Sequence, residues 1–218
     1  MPNMKMILCL LLVTIAAGCG EERVMDIAKL QDRNGVFYVP NETEPYTGRG
    51  VTRYSGSDQK LLEGHYKDGL PDGPWTQWHK NGQKHKEGHY KADKQDGLQT
   101  YWHENGQKST EGHFKDGKSE GLWTFWHKNG QKHREVHYKD GKLDGLRTTW
   151  HENGQKHEKG HFKDGKADGL QTGWHENGQK HMEGHYKAGK EDGLFTSWHE
   201  NGKKESETHY KDGKKVEP

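Results

Sequence analysis

A block of about 24 residues repeats along most of the chain, and its clearest copies are nearly identical. Each copy carries three markers in a fixed register: a Trp-His pair, an Asn-Gly pair, and a His followed by Tyr or Phe. The Trp-His pairs begin at Trp78, Trp102, Trp126, Trp150, Trp174 and Trp198. A fixed period of about 20–50 residues indicates a stacked array, in which each unit buries its apolar side against its neighbours.

The amino-acid composition is poor in apolar residues, which limits the core that the chain can build. Hydrophobic residues make up 27% of the sequence, against about 45–50% in typical globular proteins. With 31% charged residues, such a composition would ordinarily indicate disorder. The aromatic residues argue for folded structure instead, because most of the eight Trp and nine Tyr recur at fixed places in the period. We therefore expect a thin sheet with a small apolar core.

The N-terminus has the pattern of an export signal rather than of folded structure. Met1–Lys5 carries one positive charge, and Met6–Ile15 is an apolar stretch too short to span a bilayer as a helix. The stretch leads into Ala16-Ala17-Gly18-Cys19, which resembles the bacterial lipobox, where cleavage precedes a cysteine that is then lipidated. The sequence therefore predicts a lipoprotein signal peptide at 1–18 and lipidation of Cys19. An ordinary secretory signal and a short anchor are the alternatives.

Lipidation at Cys19 would determine the chemistry and the location of the mature chain. Cys9 would leave with the signal peptide and Cys19 would be acylated, so no free thiol, disulfide or cysteine-based metal site would remain. Gly20 after the cysteine, in place of Asp, favours the outer membrane by resemblance to the sorting rule of Gram-negative lipoproteins. We expect a location in the cell envelope, with membrane attachment through the lipid anchor and no spanning helix.

The remaining chain divides into a lead-in, a repeat array and a tail. Residues 19–45 would hold the lipidated cysteine, a linker and the lead-in segment. The array is expected over 46–213, where the first unit is degenerate and Tyr54 takes the place of Trp78. Residues 214–218 are expected to form a polar tail.

Each unit consists of two runs of extended character separated by turn-forming residues. In the unit from Lys84 to Lys108, the second run is rich in Thr and aromatic residues, as strands prefer. The Asn-Gly and Asp-Gly pairs supply the positive φ that tight hairpin turns require. A helix is not expected, because Gly recurs too often for about eight helical residues to persist. The sequence therefore predicts an all-β fold, built as one long antiparallel meander of β-hairpins.

The geometry of the Asn-Gly turn decides which side chains share a face of the sheet. Leu98, Thr100 and Trp102 alternate with their neighbours and so lie on one face of the second run. A two-residue turn would mix Trp102 with the His and Glu residues of the next run. A three-residue turn with a bulge would instead place it with Gly112 and Phe114. We expect the bulged turn, because only that register collects Leu, Trp, Gly and Tyr or Phe on one face.

The repeated string resembles a known family. The segment Glu111–Lys118, which reads Glu-Gly-His-Phe-Lys-Asp-Gly-Lys, resembles the MORN repeat variant together with the Trp and Asn-Gly-Gln-Lys that follow in each unit. In particular, the chain resembles bacterial proteins of the YwqK-type antitoxin family, to which segments 33–38 and 44–48 of the lead-in are also similar. The resemblance covers about residues 30–213. It implies hairpins stacked into an elongated, twisted single sheet and an antitoxin role as a group property, and it carries over no catalytic residues.

Histidine is abundant, with 17 residues in the chain, and repeated His, Glu and His triplets are candidate metal ligands. The triplets are His85, Glu87, His89, His133, Glu135, His137, His181, Glu183 and His185. Residues i and i+4 on a strand lie about 13 Å apart, whereas two imidazoles on one zinc ion each lie about 2 Å from the metal. A site would need i,i+2 ligands or ligands from adjacent strands. The alternative is a solvated polar face duplicated by the repeat, and no cofactor is expected.

The most enzyme-like string is His157-Glu158-Lys159-Gly160-His161, which matches the zincin pattern H-E-x-x-H. A zincin places both histidines on one face of a helix, whereas the equivalent positions here belong to a strand repeat. The sequence contains no phosphate loop, nucleophile elbow or Cys/His triad. A catalytic site is normally a unique constellation, and this chain offers near-copies of every motif. We therefore expect no enzymatic activity.

These observations favour a binding role. The six repeated tryptophans named above are candidate partner-binding residues, with packing of the sheet itself as the alternative. The first hypothesis is a non-enzymatic, membrane-anchored repeat lipoprotein that binds a protein partner or a cell-envelope component. The second is an antitoxin or immunity-like protein that neutralises a toxin, and the third is divalent-metal binding by the repeated histidines. The formal net charge of +1 provides no overall field for nucleic acid, which is not expected as a partner.

Overall fold

The computed structural model describes residues 22–217 of the chain. The predicted signal peptide at 1–18 and the predicted lipidation site Cys19 lie outside the described residues. Nineteen strands occur within 22–217, and seventeen of them belong to one sheet. No helix in this part of the chain is long and apolar enough to cross a membrane. The all-β repeat array predicted from the sequence is confirmed.

The strands follow one another along the sheet almost in chain order. They are β1 (Val24–Asp26), β2 (Gln31–Arg33), β3 (Val36–Tyr38), β4 (Gly48–Arg53), β5 (Lys60–Lys67), β6 (Leu70–Trp78), β7 (Lys84–Lys91), β8 (Lys94–Gln95), β9 (Gly97–Trp102), β10 (Lys108–Lys115), β11 (Lys118–Trp126), β12 (Lys132–Lys139), β13 (Lys142–Trp150), β14 (Lys156–Lys163), β15 (Lys166–Trp174), β16 (Lys180–Lys187), β17 (Lys190–Trp198), β18 (Lys204–Lys211) and β19 (Lys214–Val216). From β4 onward the pairing is antiparallel between neighbours, with β8 and β9 together taking the place of one strand. Strands β2 and β3 pair with each other in a separate two-stranded sheet.

Two kinds of turn alternate along the array, and the Asp-Gly turns are the tighter kind. Between β10 and β11 the loop contains only Asp116 and Gly117, because Lys115 pairs directly with Lys118. The two loop residues have φ of 51° and 81°. Positive φ at both positions defines the type I′ hairpin turn, whose twist matches that of the flanking strands. The Asp-Gly pair therefore forms the turn that its residue types predict.

The Asn-Gly turn has three residues and contains the predicted bulge. In the hairpin of β9 and β10, the amide of His103 donates to the carbonyl of Gln107 at 2.9 Å, and the amide of Gly106 donates to the carbonyl of His103 at 2.9 Å. Gly106 has a φ of 82°, which a glycine adopts without a steric penalty. The turn leaves Trp102 paired with Lys108, as the three-residue register requires.

A second bulge follows this turn, and it makes the predicted face assignment wrong. Beyond the Trp102–Lys108 pair, Tyr101 pairs with Thr110, so Ser109 is an extra residue without a partner on β9. The register moves by one residue, and one such shift exchanges the two faces of a strand. Gln99 therefore lies opposite Gly112, whereas Leu98 and Thr100 lie on the face of Glu111 and His113. The same shift recurs in the hairpins β6–β7, β11–β12, β13–β14, β15–β16 and β17–β18.

The sheet thus has two faces of different character, which we name the core face and the ladder face. In each unit the first strand is β5, β7, β10, β12, β14, β16 or β18, and the second strand is the one that follows it. The core face carries the Tyr or Phe of each first strand, the residue two positions before it (Gly, Val136 or Thr208), and the second-strand residue that pairs with that position. The ladder face carries the Thr and Trp of the second strands and the Leu of all but β6, together with the His and Lys of the first strands and the Glu of all but β14. The repeated Trp residues therefore lie apart from the repeated Tyr and Phe residues.

The core face is held together by rings that pack edge to face. The centroid of Trp75 lies 5.4 Å from that of Tyr66 and 5.5 Å from that of Tyr90, on the strands to either side. Trp123 packs in the same way between Phe114 and Tyr138, at 5.0 and 6.0 Å. Tilted and T-shaped pairs of this kind are favourable beyond the area that they bury. A thin layer of rings replaces the thick core for which the chain has too few apolar residues.

The lead-in segment covers the N-terminal end of this layer. Strand β1 pairs in parallel with β4, and Phe37 of β3 lies 5.4 Å from the ring of Tyr66. Tyr46 is completely buried, and its hydroxyl lies within hydrogen-bond distance of the carbonyls of Arg23 and Arg49. Repeat arrays need such terminal caps, because an end unit otherwise exposes its apolar side.

Both ends of the array differ in detail from the sequence prediction. In the first hairpin Arg53 pairs with Lys60, as Trp78 pairs with Lys84 in the next. Tyr54 therefore takes the structural place of His79, because the first loop is one residue longer, and the predicted equivalence of Tyr54 and Trp78 is wrong. At the other end β19 pairs with β18, so most of the predicted polar tail forms the last strand.

Candidate binding surface

Five of the six repeated tryptophans form a ladder with lysines on the ladder face, and Trp126 is the exception among the described residues. Trp78 pairs across the hairpin with Lys84, and the ammonium of Lys84 lies 5.7 Å from the ring centroid of Trp102 in the next unit. The other Lys–Trp separations of this kind are 5.6 Å for Lys60–Trp78, 5.8 Å for Lys132–Trp150, 5.9 Å for Lys156–Trp174 and 5.5 Å for Lys180–Trp198. Each ring is half-buried, and its contact with the cation is a favourable one at an exposed site.

Glutamates hold these lysines in place. The ammonium of Lys84 lies 2.9 Å from the carboxylate of Glu87, three residues further along the same strand. The equivalent distances are 2.5 Å for Lys108–Glu111, 2.5 Å for Lys132–Glu135, 2.6 Å for Lys180–Glu183 and 2.5 Å for Lys204–Glu207. Ion pairs as exposed as these add little to stability. For Lys84, Lys132 and Lys180 the ion pair holds the lysine beside its tryptophan, so this part of the surface is ordered before a partner binds.

One unit departs from this pattern and has excess positive charge. Lys159 stands where the other units have Glu, and the preceding Glu158 pairs instead with Arg147 at 2.6 Å. Lys156, Lys159 and Lys180 surround a depression of about 330 Å³ that is also lined by Trp174. The ladder face is therefore not uniform along its length.

A row of exposed leucines runs beside the ladder. Leu98, Leu122, Leu170 and Leu194 are 44%, 46%, 40% and 41% exposed, and they rank among the most exposed large apolar side chains of the described residues. Successive units are two strands apart, so Leu98 lies about 10 Å from Leu122, and Leu170 about 10 Å from Leu194. Leu146, between these two pairs, is half-buried. Each leucine pairs with the His of the adjacent first strand, as Leu98 does with His113. The sequence predicted these leucines on the same face as the Tyr and Phe rings. The second bulge places them on the opposite face.

Histidines pair with one another at the Asn-Gly edge of the sheet. The rings of His79 and His85 lie 4.5 Å apart, and Nε2 of His79 lies 3.0 Å from the carbonyl oxygen of Trp102. A carbonyl only accepts hydrogen bonds, so the histidine must donate from Nε2. The same ring pairs occur at His127–His133, His151–His157 and His175–His181. The equivalent bonds of His103, His151 and His175 also connect a turn to the next unit, whereas Nε2 of His127 has no hydrogen-bond partner.

The candidate metal ligands are not brought together. Within residues 22–217, no group of three or more His, Cys, Asp or Glu side chains is placed to hold an ion. In the first triplet, His85 packs on His79 and Glu87 binds Lys84, while His89 is exposed. In the zincin-like string, His157 lies on strand β14 and packs on His151 at 4.4 Å. The string therefore lacks the helix that its catalytic reading requires.

The described array defines a β-hairpin repeat protein with one packed face and one patterned, accessible face. Six segments match the MORN repeat variant family: residues 71–92, 95–116, 119–140, 143–164, 167–188 and 191–212. The chain belongs to this family. Each matched segment contains one Asn-Gly hairpin and ends in the next tight turn, so the family unit coincides with the structural one. No curated protein is significantly similar to the chain.

Proposed function

We propose that this protein is a non-enzymatic scaffold that binds a protein partner or cell-envelope component through its ladder face. The observation that carries the proposal is the row of four exposed leucines beside the Trp–Lys ladder: Leu98, Leu122, Leu170 and Leu194. An ordered apolar row with a polar surround is characteristic of interaction surfaces. Tryptophans in such a setting are frequent energetic centres of binding, because they bury a large area at little conformational cost.

The charge pattern supports an ordered partner surface rather than a general electrostatic one. Lysines and glutamates alternate along the ladder, and the formal net charge of the chain is +1. Interspersed charges of both signs favour a specific register with a partner and give no long-range attraction to polyanions. The unit with Lys159 is the exception, and a carboxylate of the partner would fit there.

The scaffold is proposed to be attached to a membrane through Cys19. Residue 22, where the described structure begins, follows Cys19 by three positions, and three residues span at most about 10 Å. The capped end of the array would then sit close to the lipid surface, with the repeats extending away from it. A Cys19→Ser variant should move the protein from the membrane fraction to the soluble one. Retention of this variant in the membrane fraction would refute the lipid anchor.

Photo-crosslinking in intact cells tests the binding face. A benzophenone amino acid at Leu122 or Leu170 should yield a discrete adduct, because both side chains are exposed on the ladder face. The matched control is the same substitution at Ser206, which is exposed on the core face of β18. The proposal fails if the leucine positions give no adduct, or only the adducts that Ser206 also gives.

Neutralisation of a toxin is a narrower form of the same binding role, and its support is the family resemblance of the repeats and lead-in. It is tested by deleting the gene and asking whether a neighbouring open reading frame becomes toxic. Divalent-metal binding rests on the paired histidines at the Asn-Gly edge. Isothermal titration of the chain with Zn²⁺ and Ni²⁺ tests it, and the absence of heat at micromolar metal would end it.

A further inference from the structure

The ring position on the core face holds a residue that is not aromatic in three of the six units: Gln99, Arg147 and Gln171. In three units a large ring packs between the Tyr or Phe residues of the flanking strands: Trp75, Trp123 and Phe195. In β15 the same position holds Gln171, and the residue two positions further on is Gly173. A cavity of about 440 Å³ opens there, with Phe162 and Tyr186 among its walls and Met182 beside Gly173.

Gln171 supplies the polar contact of the missing ring but not its bulk. Its Nε2 donates to the carbonyl of His161 at 2.8 Å, just as Nε1 of Trp123 donates to the carbonyl of His113 at 3.2 Å. The carbonyls of His161 and His113 therefore each accept a hydrogen bond, and the two units differ only in the apolar volume of the side chain that donates it. The cavity lies where three other units hold a ring, and no hydrogen bond of the backbone depends on filling it.

A unit three repeats earlier shows why this cavity stays open. Gln99 occupies the same repeat position, yet it is completely buried. Tyr101, two residues on, covers it together with Lys86, whose ammonium lies 5.4 Å from the Tyr101 ring centroid and donates to Tyr90 at 3.2 Å. In the open unit Gly173 stands in the place of Tyr101, and Glu158 stands in the place of Lys86. The missing ring at Gly173 is thus the difference between a filled unit and an open one.

We propose that this cavity is a binding site for a planar aromatic ring, which would enter between Phe162 and Tyr186. The chain itself provides the precedent, because Trp123 occupies the equivalent space with edge-to-face contacts at 5.0 and 6.0 Å to Phe114 and Tyr138. The imidazoles of His157 and His181 and the carboxylate of Glu158 line the same cavity. The site therefore suits a ring that carries a hydrogen-bond donor, such as indole or phenol. It lies on the opposite face from the leucine row and does not depend on the proposed function.

Nuclear magnetic resonance of the full chain with labelled methionine methyls tests the site. Met182 lines the cavity, whereas Met25 lies in β1 of the lead-in and serves as an internal reference. The probes are free indole and the peptides Gly-Gly-Trp-Gly-Gly and Gly-Gly-Leu-Gly-Gly. The tryptophan peptide should shift the Met182 signal saturably and bind at least about tenfold more tightly than the leucine peptide. Comparison with indole distinguishes an aromatic side chain of a polypeptide from a small aromatic compound.

Two reciprocal variants complete the test. Gly173→Tyr should close the cavity as Tyr101 closes its own unit, and weaken binding of the probe by about tenfold or more. Tyr101→Gly should open a second site and raise the number of bound probes from one to two. Circular dichroism and the Met25 signal verify that each variant remains folded. Equal affinity for the tryptophan and leucine peptides, or unchanged binding to a folded Gly173→Tyr variant, would overturn the proposal.

Discussion

Gly112 lies directly beneath the indole of Trp123, so that a Cβ on Gly112 would stand 2.1 Å from the ring. Gly64 has the same relationship to Trp75, at 2.1 Å. Val136 occupies the equivalent repeat position in another unit, where its partner across the strand is Arg147. The glycine is therefore required by the ring opposite it and not by the backbone of the strand.

Replacement of Gly112 by valine should destabilise the array. The added side chain collides with Trp123 and forces it out of its packed position, and overpacking of this kind costs about 1–3 kcal/mol. The denaturant concentration at the midpoint of unfolding measures the effect. The double variant Gly112→Val with Trp123→Arg reproduces the natural pair of Val136 and Arg147, and it should recover part of the loss. An unchanged midpoint in the single variant would contradict the packing argument.

The two classes of tryptophan should respond differently to truncation. Trp123 is 6% exposed on the core face, so Trp123→Ala should cost about 3–5 kcal/mol. Trp102 is half-buried on the ladder face, so Trp102→Ala should lower the free energy of unfolding by a smaller amount. The same two variants, compared by photo-crosslinking from Leu122, should show that Trp102 matters for partner binding. Equal losses of stability would contradict the division into two faces.

Acid should weaken the contacts at the Asn-Gly edge. Burial, together with the nearby His79 and Lys86, lowers the pKa of His85 from its ordinary value of 6.5. A lowered pKa in the folded state means that the unfolded chain takes up the proton first as the pH falls. The stability that His85 contributes is therefore present above about pH 6.5 and decreases as the pH falls below it.

His133 should behave in the same way, because burial, His127, Arg134 and His157 lower its pKa. We expect the unfolding midpoint of the chain to fall between about pH 7 and about pH 5. Serine already stands at the equivalent place in Ser109, so the double variant His85→Ser with His133→Ser is a suitable control. It should show a weaker pH dependence over this interval, and an equally steep dependence would exclude the two histidines as its source.

Removal of the lead-in should destabilise the first units selectively. Without residues 22–45, the ring of Tyr66 loses Phe37, and β4 loses its pairing with β1. Stability in repeat arrays is transmitted between nearest neighbours, so distant units should be affected little. Hydrogen exchange should show faster exchange in β5 than in the intact chain, with the protection of β15 retained. Uniform loss of protection along the array would argue against a local cap.

The hairpins and their turns follow from the sequence because the relevant signals are local. Asp116-Gly117 and the Asn-Gly pairs specify their own backbone angles, and the period specifies the stacking. The distribution of residues between faces did not follow, since it depends on the unpaired residue at Ser109. No residue type marks that place, because His stands there in most units and Ser in this one.

The candidate surfaces were also only partly predictable. The repeated tryptophans were identified by their spacing, but their lysine partners come from the neighbouring hairpin, and cross-strand neighbours depend on register. The open cavity at Gly173 is visible only by comparison of units in three dimensions, because Gln171 alone does not distinguish it from the filled unit at Gln99. The repeat spacing predicts the features that all units share. The features that differ between units depend on contacts between strands, which the spacing does not show.

The cap at the N-terminal end has a consequence for how such a chain can change in evolution. The lead-in contacts the first units through β1, Phe37 and Tyr46, so a duplication or loss of one whole block further along leaves every one of these contacts intact. Each added block would lengthen the sheet by two strands, or about 10 Å. The number of blocks then sets the distance between the cap and the far end of the sheet. This distance can change in equal steps without a change to any interface.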